Sequence, residues 1–161
     1  MDREIAMDEN GNCSLLIYGD RISFNEIEEE LGLKATHIVE KGKPISKYSS
    51  NPLRICETNG WFYDTEYNGR DDFSNALGLF LSKIHPQKDK LKMIAESDED
   101  TDIFITISAS SDYAQMFLEI EPEHQKLIAE LGFPLRFSIL SFGMVEGGED
   151  EDEDCESNDC E

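Results

Sequence analysis

Two stretches of the chain share one layout: a helix with an apolar stripe, closed by glycine and followed directly by a β-type run. In Glu119–Phe142, Pro122 supplies a helix start and Leu127, Ile128 and Leu131 make the stripe. Gly132 is the stop, and Leu135–Ser141 reads as a strand. Near the beginning, Asn25–Leu31 is the helix, Gly32 the stop and Ala35–Glu40 the strand. Ser23 and Glu26 stand at capping-box spacing there, so hydroxyl and carboxylate can each satisfy an orphan backbone N–H. Glu30-Leu31-Gly32-Leu33 aligns with Glu130-Leu131-Gly132-Phe133, which suggests a pseudo-duplicated β-α-β unit. Chance agreement of common cap chemistry is the competing reading.

The rest of the pattern fills in around these units. Cys13–Tyr18 is a short apolar run closed by Gly19-Asp20, with the length of a strand. Leu53–Thr58 and Trp61–Thr65 flank Asn59-Gly60, whose two residues adopt positive φ cheaply, so a β-hairpin is predicted there. Alternation puts Trp61 and Tyr63 on one sheet face, with Trp61 in the core, and Phe62 on the other. Phe73, Ala76, Leu77, Phe80, Leu81 and Ile84 form a broad stripe on a helix over Asp71–Ile84. Pro86 ends it and opens a second helix, Gln87–Ala95, with Leu91 and Ile94 inward. Ile103–Ala109 alternates as a strand, Ser110–Ala114 turns the chain, and Met116–Ile120 is the expected strand partner.

The fold class this predicts is α+β: a mixed, mainly antiparallel sheet with helices packed on one side. Residues 1–11 are expected as a polar lead-in, 12–145 as a single domain, and 146–161 as a disordered acidic tail. That last stretch, Glu146–Glu161, holds ten carboxylates and no cation, so it has nothing with which to build a core.

Charge then narrows the function classes. The 161 residues carry a formal net charge of −22. Every phosphate contact needs a cation, so nucleic-acid binding is disfavoured, and so is adhesion to an anionic membrane face. A field of this sign speeds encounter with a basic partner, although solubility alone also accounts for it. The acidic N-terminus lacks the basic start of a secretory signal, and no apolar run approaches the roughly 20 residues that span a bilayer. A cytoplasmic protein is expected, with Cys13, Cys56, Cys155 and Cys160 as free thiols.

A search for chemistry returns little. Gly42-Lys43 lacks the rest of a phosphate-binding loop, no Gly-x-Ser-x-Gly elbow occurs, and His37, His85 and His124 stand far apart. Asp150, Asp152, Asp154, Glu156, Asn158 and Glu161 match the ligand positions of a calcium loop. Cys155, however, stands where the sharp turn requires glycine, and no helix follows. No cofactor or metal is expected.

The arrangement resembles the bacterial domain-of-unknown-function family numbered 4279 over roughly residues 12–142. The features are the first strand before Gly19-Asp20, Phe24-x-x-Ile27, Leu31-Gly32-Leu33, and Ala35-Thr36-His37. The Lys41–Ile45 turn, the Trp61 strand and Glu130-Leu131-Gly132 complete it. The resemblance implies a small α+β protein and supplies no catalytic residues. It also carries an association with contact-dependent toxins and their immunity proteins.

The expected function is therefore a non-enzymatic binding module of immunity or inhibitor type. It would neutralise a basic protein surface, such as that of a toxin or nuclease, and bind neither nucleic acid nor membrane. The expected partner-binding residues are Tyr63, Asp64, Glu66, Tyr67, Asp71, Asp72, Asp98, Glu99, Asp100 and Asp102. One alternative is a small-ligand or enzymatic domain whose cleft between sheet and helices gathers His37, Arg54, Asp64 and Arg70. Another is an accessory protein whose acidity only keeps it soluble.

Overall fold

The computed structural model describes residues 9–45, 55–112 and 115–141. The strands are β1 (Asn10–Gly19), β2 (His37–Val39), β3 (Asn59–Asn68), β4 (Asp102–Ser111) and β5 (Leu135–Ser141). The helices are α1 (Phe24–Leu31), α2 (Phe73–Ile84), α3 (Lys88–Ser97) and α4 (Pro122–Leu131). One five-stranded sheet runs in the order β2-β3-β1-β4-β5. Only β4 and β5 pair in parallel; the other neighbours are antiparallel. This is the predicted mixed, mainly antiparallel α+β sheet.

Strand alternation assigns the two faces. Cys13, Leu15 and Ile17 of β1 stand in register with Ile107, Ile105 and Ile103 of β4, and with Thr65, Tyr63 and Trp61 of β3. Against this face α2 sets Phe73, Leu77, Phe80, Leu81 and Ile84, all buried in one cluster with Ile27 and Leu31 of α1, Leu91 of α3 and Ile128 and Leu131 of α4. The spacing of those α2 residues gives the broad stripe that a central helix needs. The other face carries Leu16 and Tyr18, Phe62 and Asp64, Phe104 and Thr106, and no helix among the described residues covers it.

Local chemistry set the start of α1 and the glycine ends of α1 and α4 as predicted, while α2, α3 and α4 begin without a side-chain cap. Ser23 caps α1, its hydroxyl accepting from the Glu26 N–H. Gly32 and Gly132 take φ values of 66° and 75° after α1 and α4, in the left-handed region that suits glycine. The two helix–glycine–strand units are therefore equivalent locally. They differ in the sheet: β4 and β5 are neighbours, whereas β3 lies between β1 and β2.

Three expectations are corrected. Asn59-Gly60 does not form a hairpin turn but opens β3. Asn59 instead ties loops, accepting from the Lys41 N–H and donating to the Asp20 carbonyl. Gly60 is small because a Cβ there would stand 2.7 Å from the Tyr18 ring. Residues 53–54 of the predicted first hairpin arm lie outside the described residues, and Ile55 makes only an isolated bridge to Pro44. The stretch 116–120 is not a strand; Met116, Leu118 and Ile120 pack irregularly against the core, which satisfies their apolar side chains without a ladder. Finally, β1 begins at Asn10, within the stretch expected as lead-in, because β3 and β4 are long enough to pair with it there. The segment 146–161, with Cys155 and Cys160, lies outside the described residues.

Candidate protein-binding groove

Helix α1 is amphipathic: Ile27 and Leu31 face inward, which turns Glu26, Glu29 and Glu30 outward. Helix α3 lies alongside, and its Met93 is 57 % exposed beside the half-buried Ile94. Together they line a groove of about 640 Å³. Ile22, Ile27, Met93 and Ile94 supply its apolar surface, and Glu26, Glu29, Glu30 and Asp98 its acids. Arg21 also lines it, and its Nε lies 4.0 Å from Asp98 Oδ2. Lys90 is held near Glu30, where its ammonium donates to the backbone carbonyl. Four carboxylates over an apolar floor suit a ligand that is itself basic and apolar, because a partly desolvated charge pair gains more than one in open water.

The ten residues expected to bind a partner do not form one surface. Register places Glu66 level with Asn12 near one end of β1, while Asp102 is level with Tyr18 near the other. Asp71 and Asp72 lie exposed in the 3-10 turn just after β3, at the Glu66 end. At about 3.3 Å per residue, the acids of that end stand roughly 20 Å or more from Asp98–Asp102. The Asp98 carboxylate also has local work, accepting the Asp100 N–H at 3.1 Å. Asp98 is the one of these ten that lines the groove; Glu99, Asp100 and Asp102 are exposed in the same connection.

Tyr67 corrects the expectation. Tyr67 is 3 % exposed, packs edge-on against Phe73 at 5.1 Å and donates its hydroxyl to the Ser108 carbonyl at 2.9 Å. Burial pushes its phenol up to about 12. It is a core residue, because odd positions of β3 face the helices. Tyr63 shares that face, stacked between Trp61 and Phe80. Trp61 is fully buried, as its place in the alternation predicted.

Asp64, on the opposite face, is drawn into a different cluster. Thr36 Oγ1 donates to its Oδ2 at 2.8 Å, and His37 Nδ1 lies 3.2 Å from the same oxygen. The second carboxylate oxygen, Oδ1, is buried without a partner. The His37 ring stacks on Phe62 at 4.0 Å, Phe62 meets Tyr18 edge-on, and Tyr18 stacks on Phe104, over which the Arg136 guanidinium sits at 3.6 Å. Of the four groups expected to share a cleft between sheet and helices, the structure brings together His37 and Asp64, but on the opposite face of the sheet, which no described helix covers, because both follow the alternation of Phe62. Arg70 is remote, at the far end of β3 over Phe117; Arg54 lies outside the described residues.

Sequence reasoning missed Glu26, Glu29 and Glu30 as groove residues. The signal was present in the acidic outer face of α1 and the outward Met93, but nothing local says that α1 and α3 are neighbours. Among the described residues, no group of three or more His, Cys, Asp or Glu side chains could hold a metal ion. Among them too, no helix is long and apolar enough to cross a membrane.

These features define a small α+β domain whose sheet, among the described residues, carries helices on one face. The chain belongs to the family described as domain of unknown function DUF4279, whose family model matches residues 9–142. No curated protein and no solved structure matches this chain.

Proposed function

We propose that this protein is a non-enzymatic, cytoplasmic binding module of immunity or inhibitor type, which seats a basic, partly apolar segment of another protein in the α1–α3 groove. The observation that carries this reading is the groove itself: Glu26, Glu29, Glu30 and Asp98 beside an exposed Met93. The body supports it electrostatically even without the tail, since residues 1–145 hold 26 acids against 14 bases, a net −12. Such a field speeds encounter, and the apolar floor then slows escape.

The test is capture of partners from the native cell by the wild-type chain and by a Glu26→Lys/Glu29→Lys variant. The expected outcome is a basic protein retained at about 0.05 M salt, released at about 0.5 M, and lost in the variant. Retention that neither salt nor the charge reversal alters would overturn the reading.

A second reading has its own observation, the His37–Asp64 pairing. His37 also lines a cleft of about 640 Å³ with Tyr18, Val39, Glu40, Lys43, Cys56 and Phe62. This cleft is a place for a small ligand that hydrogen-bonds the imidazole and stacks on the rings. Screening a fragment library by protein NMR would favour it if shifts cluster at His37, Tyr18 and Phe62, and would end it if they do not.

A further inference from the structure

The two edges of the sheet are treated differently. Strand β2 is three residues long, and the stretch after it, Lys41 to Pro44, turns to bond Ile55 and Cys56 and sets two lysines and a proline along that side, which discourages pairing with another chain. Strand β5, at the other edge, is seven residues long and contains no proline, lysine or acid. Its Phe137, Ile139 and Leu140 are 51 %, 55 % and 59 % exposed, so apolar groups stand open on both faces. Its one charge, Arg136, is folded over the Phe104 ring and does not guard the edge. From Leu131 to Val145 there is no carboxylate at all, in a chain with 36 of them.

We propose that β5 joins two copies of this chain, pairing antiparallel along its outer edge about a two-fold axis at Ser138. In that register Phe137 stands opposite the partner's Ile139, and Ile139 opposite the partner's Phe137, on the helix-bearing face. Arg136 stands opposite the partner's Leu140 on the other face. The strand is thus complementary to itself, as an isologous interface requires. Five strands from each copy form one continuous sheet. A basic partner gains nothing from this edge, which lacks acids and carries an arginine. A second copy covers its apolar groups and meets no carboxylate on the paired strand. Like charge elsewhere still opposes association, so dimerisation strengthens with salt. This sign is opposite to that of the groove's binding to a basic partner, and the two readings fail separately.

The experiment is sedimentation equilibrium of the full chain at about 0.1 mM, at about 0.05 M and about 0.5 M NaCl. The expected mass is twice 18.3 kDa, with a dissociation constant several-fold lower at the higher salt. Ile139→Lys and, separately, Leu140→Lys are expected to give monomers with unchanged circular dichroism. Ser138→Cys is expected to yield, on mild oxidation, a disulfide that links the two copies through the substituted position. A monomer at high salt, or dimers undiminished in whichever lysine variant folds, would overturn the proposal.

Discussion

At the scale of single residues, the smallest side chains mark where the sheet is tightest. A Cβ at Gly11 would stand 1.8 Å from the Ser108 carbonyl oxygen and 2.5 Å from the Tyr67 hydroxyl. Gly11 therefore makes room for the bond by which Tyr67, from β3, crosses β1 to reach β4. Gly11→Ala forces backbone apart and is expected to cost about 3 kcal/mol or more, while Tyr67→Phe, which only removes the hydroxyl, costs about 1–2 kcal/mol. Urea unfolding of the two variants measures both, and equal losses would contradict the steric account. Cys13 is equally confined: it is buried and free, and burial pushes its thiol up to about 12. It serves as a small apolar group of the core.

At the scale of elements, the helices are held in place by ends that reach each other. His85, just after α2, lies with Nε2 2.7 Å from Glu130 Oε2 near the end of α4. The hydrogen bond from His85 holds the Glu130 carboxyl below its usual range. A carboxylate depressed by folding stabilises the native state above its unfolded value of about 4.5, and this stabilisation is lost as pH falls through the lower folded value. The acid side of the stability profile should therefore flatten below that point in Glu130→Gln relative to wild type, with a small effect because the pair is exposed. Thermal melts between about pH 3 and pH 6 measure it; identical slopes would remove the pair from the account. Helix positions and caps were legible from the sequence because their causes lie within four residues. Strand pairing was not: Asn59-Gly60 carries a turn signal, yet Gly60 is fixed by Tyr18, 42 residues away in the chain.

At the scale of the whole molecule, net charge sets a common background. A chain of −22, with −12 of it on residues 1–145, repels itself most when compact, so added monovalent salt should raise the melting temperature before any partner is present. A rise of a few degrees between about 0.01 M and 0.3 M NaCl is expected, and a fall would show that attractive pairs outweigh the repulsion. Against this background the described surface holds two unlike regions: an acid groove between α1 and α3, and the carboxylate-free edge of β5. The acids at the Glu66–Asp72 end of the sheet belong to neither.

The sequence by itself determined the helices, their caps, the alternating strands and the sign of the field, because stripe, cap and charge are properties of neighbouring residues or of the sum. The tertiary structure alone decided strand order, which turned Tyr67 from a surface aromatic into a core anchor. It also brought Glu26 and Glu29 beside Met93, and Asp64 beside His37. The physical reason is that sheet pairing and helix docking join residues far apart in the chain, where no local periodicity records who the neighbour is.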